Sequence, residues 1–237
     1  MKSEKRTAGR PVQPVLNREL IGEQALKLVT ARGLEQLTMS NLAKRLKVAV
    51  SALYNHVTNK ADVVLLIQDA LVSQVSLEGM QRLIDQQGTL EEALRDWAYS
   101  YRAVFAEYPS LIPTIAVTPV SQAPKTLRMY NTVSQALASA GIPNAQVIKV
   151  IVAFESFLFG SALDVDAPST IFDTDDVAED STWLDRVLNA SKAASDGARP
   201  SSVPEEKSTP MRNEYADPPF HFGLEALIRQ TKSLLNA

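Results

Sequence analysis

Leu37-Thr-Met-Ser-Asn-Leu-Ala-Lys-Arg-Leu-Lys-Val-Ala-Val-Ser-Ala-Leu-Tyr-Asn-His-Val-Thr-Asn-Lys60 is the stretch that decides the fold. Two short helices meet in it at a tight turn around Lys47-Val48. Leu42, Leu46, Val48, Leu53 and Val57 recur at a spacing that points them inward, where they close a small three-helix core with Ile21, Leu28 and Leu37. Ala43 falls where the second short helix crosses the first, and a larger side chain would push the crossing apart. This is helix-turn-helix spacing. The second helix keeps an open face of Val50, Ser51, Tyr54 and Asn55, flanked by Lys44, Arg45, His56 and Lys60.

Upstream, Ile21, Ala25, Leu28 and Val29 form one stripe of a helix over about 17–31, with Asn17 as its cap and Gly33 at its end. Before it lies an arm, residues 1–16, bearing Lys2, Lys5, Arg6 and Arg10. Such an arm suits a neighbouring minor groove and equally an ordinary tail. Charge divides along the chain. Residues 1–60 hold eleven Lys/Arg against four Glu and no Asp, whereas 61–237 hold thirteen against 23 acids. A basic front on an acidic body matches an anionic polymer as partner for one end.

The residue types suit duplex DNA. Thr38 or Ser40, opening the first motif helix, can hold a phosphate together with the unpaired N–H groups there. Tyr54 and His56 can donate to phosphates, or else serve as a half-buried support and a cap. Lys60 stands at a helix start, where the dipole gives it no reason to be, which marks it as a phosphate contact. Val50 and Ala52 suit thymine methyls, Ser51 is undiscriminating, and Asn55 suits adenine.

Downstream the periodicity stays helical, so the expected fold is all-α with nine or ten helices and no convincing strand. A long fourth helix is expected over about 59–84, then helices from Thr89, around 109–116, over 122–139 and 144–163, near 176–194 and over 219–235. Residues 196–219 carry five prolines among serines and charges and read as a long loop. The domains expected are the arm 1–16, a DNA-binding head 17–60, and an effector-binding and dimerisation domain 61–237.

On Leu37-Thr38, Leu42-Ala43, Leu46, Val48, Leu53-Tyr54, His56-Val57 and Asn59-Lys60, followed directly by a long helix, the chain resembles the tetracycline-repressor family of bacterial transcriptional regulators. Phe222-Gly223-Leu224-Glu225, leading the last helix, adds to the likeness. The resemblance implies that the third helix enters the major groove, with Tyr54, His56 and Lys60 meeting phosphates or bases. It also implies a homodimer on a palindromic operator, most simply a repressor, released by a small molecule bound in the C-terminal domain. One departure concerns the turn, where Lys47 replaces the usual glycine in a position that tends to be left-handed. There it would cost on the order of 1 kcal/mol of strain, and its charge would face phosphate.

Candidates for lining an effector cavity are Trp97, Tyr101, Phe105, Met129, Tyr130, Phe154, Phe157 and Trp183, each of which core packing explains as well. Glu155 interrupts the most apolar helix as a ligand anchor, an intersubunit partner or a surface residue. Few cations lie in the middle helices, so an apolar or amphipathic effector fits better than a polyphosphate. The apolar excess of 144–163 and the stripe of 219–235 suggest a four-helix contact across a two-fold axis. With no cysteine and only His56 and His221, thiolate chemistry, iron–sulfur clusters and a histidine-rich metal centre are excluded. No cofactor is expected. No segment approaches the roughly twenty apolar residues of a bilayer span, so the expected setting is cytoplasmic with no membrane partner. Two alternatives remain. One is a DNA-binding or interaction protein of the same fold without an effector; the other, disfavoured by the absence of any acid/base spacing or phosphate loop, is a helical enzyme.

Overall fold

A computed structural model of the 237-residue chain describes residues 16–168, 170–172, 182–197 and 215–236. Residues 1–15 of the basic arm, the 176–181 start expected for one helix and most of the expected loop lie outside them. The described residues are helical, with no strand among them. They fall into two compact units, Met1–Ser139 and Ala140–Ala237.

In the first unit, α1 (Arg18–Arg32) begins where the Asn17 side chain accepts from the Leu20 N–H at 2.8 Å. It ends at Gly33, whose φ of 85° suits a residue without Cβ. A 3-10 turn, Leu34–Gln36, leads to α2 (Met39–Leu46) and α3 (Val50–Tyr54). Ile21, Leu28, Leu37, Leu42, Ala43, Leu53 and Val57 are buried as the spacing predicts. Leu46 and Val48 are only half-buried, because they close the outer side of the turn and not its centre.

The long fourth helix is two helices, α4 (Lys60–Val72) and α5 (Glu78–Ile84). Apolar repeats cross the gap, but local polar competition ends the first. Ser73 Oγ and Gln74 Nε2 both donate to the Ala70 carbonyl, and the Ser76 N–H donates to Ser100 Oγ at 2.7 Å. Helix α4 packs along α1 so closely that a Cβ on Gly22 would lie 2.6 Å from the Leu66 carbonyl oxygen. Helix α5 lies on α6 (Leu90–Ala106), where Arg82 pairs with Asp96. Thr89 and Glu92 form a reciprocal capping box at the start of α6. A proline-led turn and α7 (Ile112–Ile115) precede α8 (Pro124–Ser139).

The first turn of α8 is fastened twice. Asp69 on α4 is buried, and its Oδ1 accepts from both the N–H and Oγ1 of Thr126, each at 2.9 Å. Lys125 pairs with Glu19 on α1.

The second unit contains α9 (Asn144–Asp164), α10 (Thr182–Gly197) and α11 (Asp217–Ser233). Pro218 and Pro219 stand in the first turn of α11, where a missing N–H is harmless, and not in the loop expected from composition. Helix α9 packs on α11, with Phe157 stacked on Phe220 at 5.7 Å and 7° between ring planes. A Cβ on Gly223 would meet the Phe157 ring at 2.4 Å, so this glycine lets the ring lie against α11. By length and composition α9 is apolar enough to cross a bilayer, with a mean hydropathy of 1.6, contrary to the sequence expectation.

Candidate nucleic-acid interface

Thr38 caps α2: its Oγ1 accepts from the Asn41 N–H at 3.1 Å, and Asn41 Nδ2 reaches back to the Gln36 carbonyl. The N–H groups of Met39 and Ser40, in the first turn, have no carbonyl four residues earlier within the helix and are available to an anion. Ser40 is exposed, as are Lys44 and Lys47.

At the end of α2 the chain turns through Lys47, whose φ of 57° and ψ of 42° are left-handed. The turn therefore has the geometry that favours glycine, and Lys47 adopts it at about 1 kcal/mol of strain. The Lys47 and Val48 N–H groups bond back to the carbonyls of Lys44 and Ala43, which sets the angle at which α3 departs.

On α3, Leu53 is fully buried while Tyr54 is 52% exposed and Val50 is 37% exposed. Ser51 and Asn55 are exposed as well. Burial of Leu53 fixes which side of this single short helix faces outward, so the four open residues share one surface. Ala52 is half-buried and contributes less to that surface. His56 is also half-buried; its N–H bonds to the Leu53 carbonyl and its own carbonyl accepts from Arg18 at 2.6 Å.

Two flanking cations have local roles that the sequence reading missed. Lys60 Nζ donates to the Leu34 carbonyl at 3.3 Å, so it has a structural reason to stand at the start of α4. Arg45 Nε donates to Gln24 Oε1 on α1. Asp62 accepts from both the N–H and Oγ1 of Thr58, and these bonds hold its carboxyl below the ordinary value of 3.8. A depressed folded value means that this stabilisation is full above the ordinary value and fades as pH falls through the folded one. In urea titrations from pH 6 downward, Asp62→Asn should flatten the acid loss of stability of the α3–α4 junction; an unchanged pH dependence would exclude the contribution.

Of the candidate effector-lining residues in the first unit, Trp97, Tyr101, Phe105 and Met129 are buried and Tyr130 is half-buried. Trp97 meets Tyr101 edge-on at 5.8 Å, and Tyr101 stacks on Phe105 at 4.7 Å, a continuous aromatic file along α6. In the second unit Phe154 is buried, while Glu155 and Phe157 are half-buried. Trp183 departs from expectation. It is 74% exposed, with the Arg186 guanidinium over its ring, because α10 turns its apolar side outward within this unit. One polar candidate was missed: Gln68 on α4 is buried, and its Oε1 has no hydrogen-bond partner among the described residues. Its place in an apolar repeat concealed it.

The family model for bacterial regulatory proteins of the tetR family matches residues 21–67, and that for the tetracyclin repressor-like C-terminal domain matches 84–230. The chain belongs to the tetR family of bacterial regulators. An HTH-type transcriptional regulator of Saccharopolyspora erythraea is 28% identical over 149 residues, which cover 63% of this chain and 61% of that relative. The matched region thus spans about three fifths of the curated relative's length. Among solved structures, ActR of Streptomyces coelicolor in complex with actinorhodin superposes with a TM-score of 0.60 at 21% identity, covering 94% of this chain and 99% of that one. A possible TetR family regulator of Streptomyces coelicolor A3(2) gives a TM-score of 0.67 at 20% identity, covering 92% and 100%. These likenesses show that the described residues have the tetR-family fold. Among the described residues, no group of three or more His, Cys, Asp or Glu is placed to hold a metal ion.

Proposed function

We propose that this tetR-family member is a cytoplasmic, ligand-responsive repressor that binds a palindromic operator as a homodimer and leaves it when a small apolar or amphipathic effector binds. The observation that carries the reading is the open face of α3 over buried Leu53. Val50, Ser51, Tyr54 and Asn55 form a surface narrow enough for a major groove. Thr38, Ser40, Lys44, Lys47, His56 and Lys60 supply phosphate contacts around it.

Pairing of two chains is supported by Ile148 and Val152, both exposed on α9, and by Phe222 on α11, which is 81% exposed. Large apolar side chains left open on helices that already pack together suit a two-fold helical contact. Effector contact is assigned to the aromatic file of α6 with Met129 and, as the group that orients the ligand, the unpartnered Gln68 oxygen. Phe154 and Phe157 remain candidates within the second unit. ActR, captured with actinorhodin, is a fold neighbour that takes a small molecule.

The experiment that tests the interface is a salt titration of binding to duplex fragments selected by the purified protein. Lys47→Gly should stabilise the head by up to about 1 kcal/mol, because it relieves the left-handed strain. It should also lower the slope of log affinity against log salt by about one, because it removes a phosphate contact. A stabilised variant with unchanged slope would remove Lys47 from the interface. Changing Asn55 or Val50 should alter the selected sequence more than the non-specific affinity, and an identical consensus would refute their base-reading role.

A further inference from the structure

Beside the crossing of α1 and α4, outside the aromatic file of α6, lies a groove of about 820 Å³. That volume is within the range of small-molecule sites, roughly 300–1,000 Å³. Its floor is apolar, with Leu26 from α1, Leu66 and Ala70 from α4, and the half-buried Tyr108. Pro124 and Lys125, in the first turn of α8, form a wall.

The charges along the groove are not balanced once their partners are counted. Glu19 is engaged by Lys125, and Oδ1 of Asp69 is occupied by the Thr126 N–H and hydroxyl. Lys27 is exposed on the lining, and Arg45 has spent only Nε, on Gln24. Arg18, whose Nη1 donates to the His56 carbonyl, is a third cation of the lining, and Glu23 and Asp69 are the acids left, so three cations stand against two carboxylates. An apolar floor with a surplus of cationic donors at its edge favours an anion carried on an apolar body.

We propose that this groove is a second ligand site, one that takes aromatic organic anions and is separate from the effector contacts assigned to α6. The ring system lies on Leu26, Leu66 and Tyr108, and the anionic group faces Lys27 and Arg45. The site uses no residue of the aromatic file and does not depend on the operator reading.

Because the chain has no cysteine, a single introduced thiol reports on the groove alone. Thr30→Cys places that thiol in the lining, at an exposed position. With 8-anilinonaphthalene-1-sulfonate as probe on the full chain, saturation should slow alkylation of this thiol by N-ethylmaleimide at least fivefold. Lys27→Glu, an exposed change that leaves the core intact, should weaken probe binding at least fivefold, and the uncharged N-phenyl-1-naphthylamine should bind less tightly than the anion. Circular dichroism melts check that both variants fold. Alkylation at an unaltered rate, or equal probe affinity in wild type and Lys27→Glu, would overturn the site. Operator binding and effector release are read separately, so failure here leaves the regulator reading standing and the reverse.

Discussion

Asp69→Ala should lower the stability of the first unit by about 2–4 kcal/mol, the largest single loss expected from a polar substitution in this chain. The carboxylate is buried on α4, and its Oδ1 receives two hydrogen bonds from Thr126. Hydrogen bonds to a charged group contribute about 1.5–3 kcal/mol, and truncation leaves a buried N–H and hydroxyl without their acceptor. Asp69→Asn keeps the shape and one acceptor oxygen, so it should recover part of the loss. Urea unfolding followed by circular dichroism measures both. If Asp69→Ala lost less than 1 kcal/mol, α8 would be held to α4 by apolar contact alone. Operator affinity should fall in the same variant, since α4 also carries the head.

Gly22→Ala is the second large effect. Its Cβ would meet the Leu66 carbonyl oxygen at 2.6 Å, and the obstacle is backbone, which cannot rotate aside. Helix α1 would have to move away from α4, at about 1–3 kcal/mol for overpacking, even though alanine is the better helix former. The propensity gain and the steric loss have opposite signs, so the sign of the measured change decides between them. A stabilised Gly22→Ala would mean that the two helices separate at little expense. The expected outcome is lower stability together with weaker operator binding, because α1 forms one side of the three-helix core beneath α3.

The head was legible in the sequence because its signals are local. Asn17, Gly33 and Thr38 mark helix boundaries through bonds spanning four residues or fewer, and each holds in the structure, as does Thr89 at the start of α6 beyond the head. The left-handed turn at Lys47 was expected from the family resemblance alone, in which glycine usually holds that position, and the backbone there has a φ of 57°. The break after Val72 was missed because apolar repeats continue across it; the acceptor for the Ser76 N–H is Ser100, 24 residues away. The bond from Lys60 to the Leu34 carbonyl was missed for a similar reason, since the two residues are distant in sequence. Trp183 shows the limit of reading large aromatics as cavity lining: hydrophobicity predicts burial, but within its unit the side chain lies open. Gln68 shows the reverse, a polar residue whose burial no local pattern announces.

The interruption between α4 and α5 also sets a length scale. An unbroken helix over 59–84 would be a rod of roughly 39 Å, whereas the 13 residues of α4 span roughly 20 Å. Swinging the shorter arm by about ten degrees carries its far end only about 3.5 Å, slightly more than one hydrogen-bond distance. A pivot at Ser73–Leu77 thus has short leverage, enough to unseat a side chain from a phosphate oxygen while the three-helix core travels as one piece.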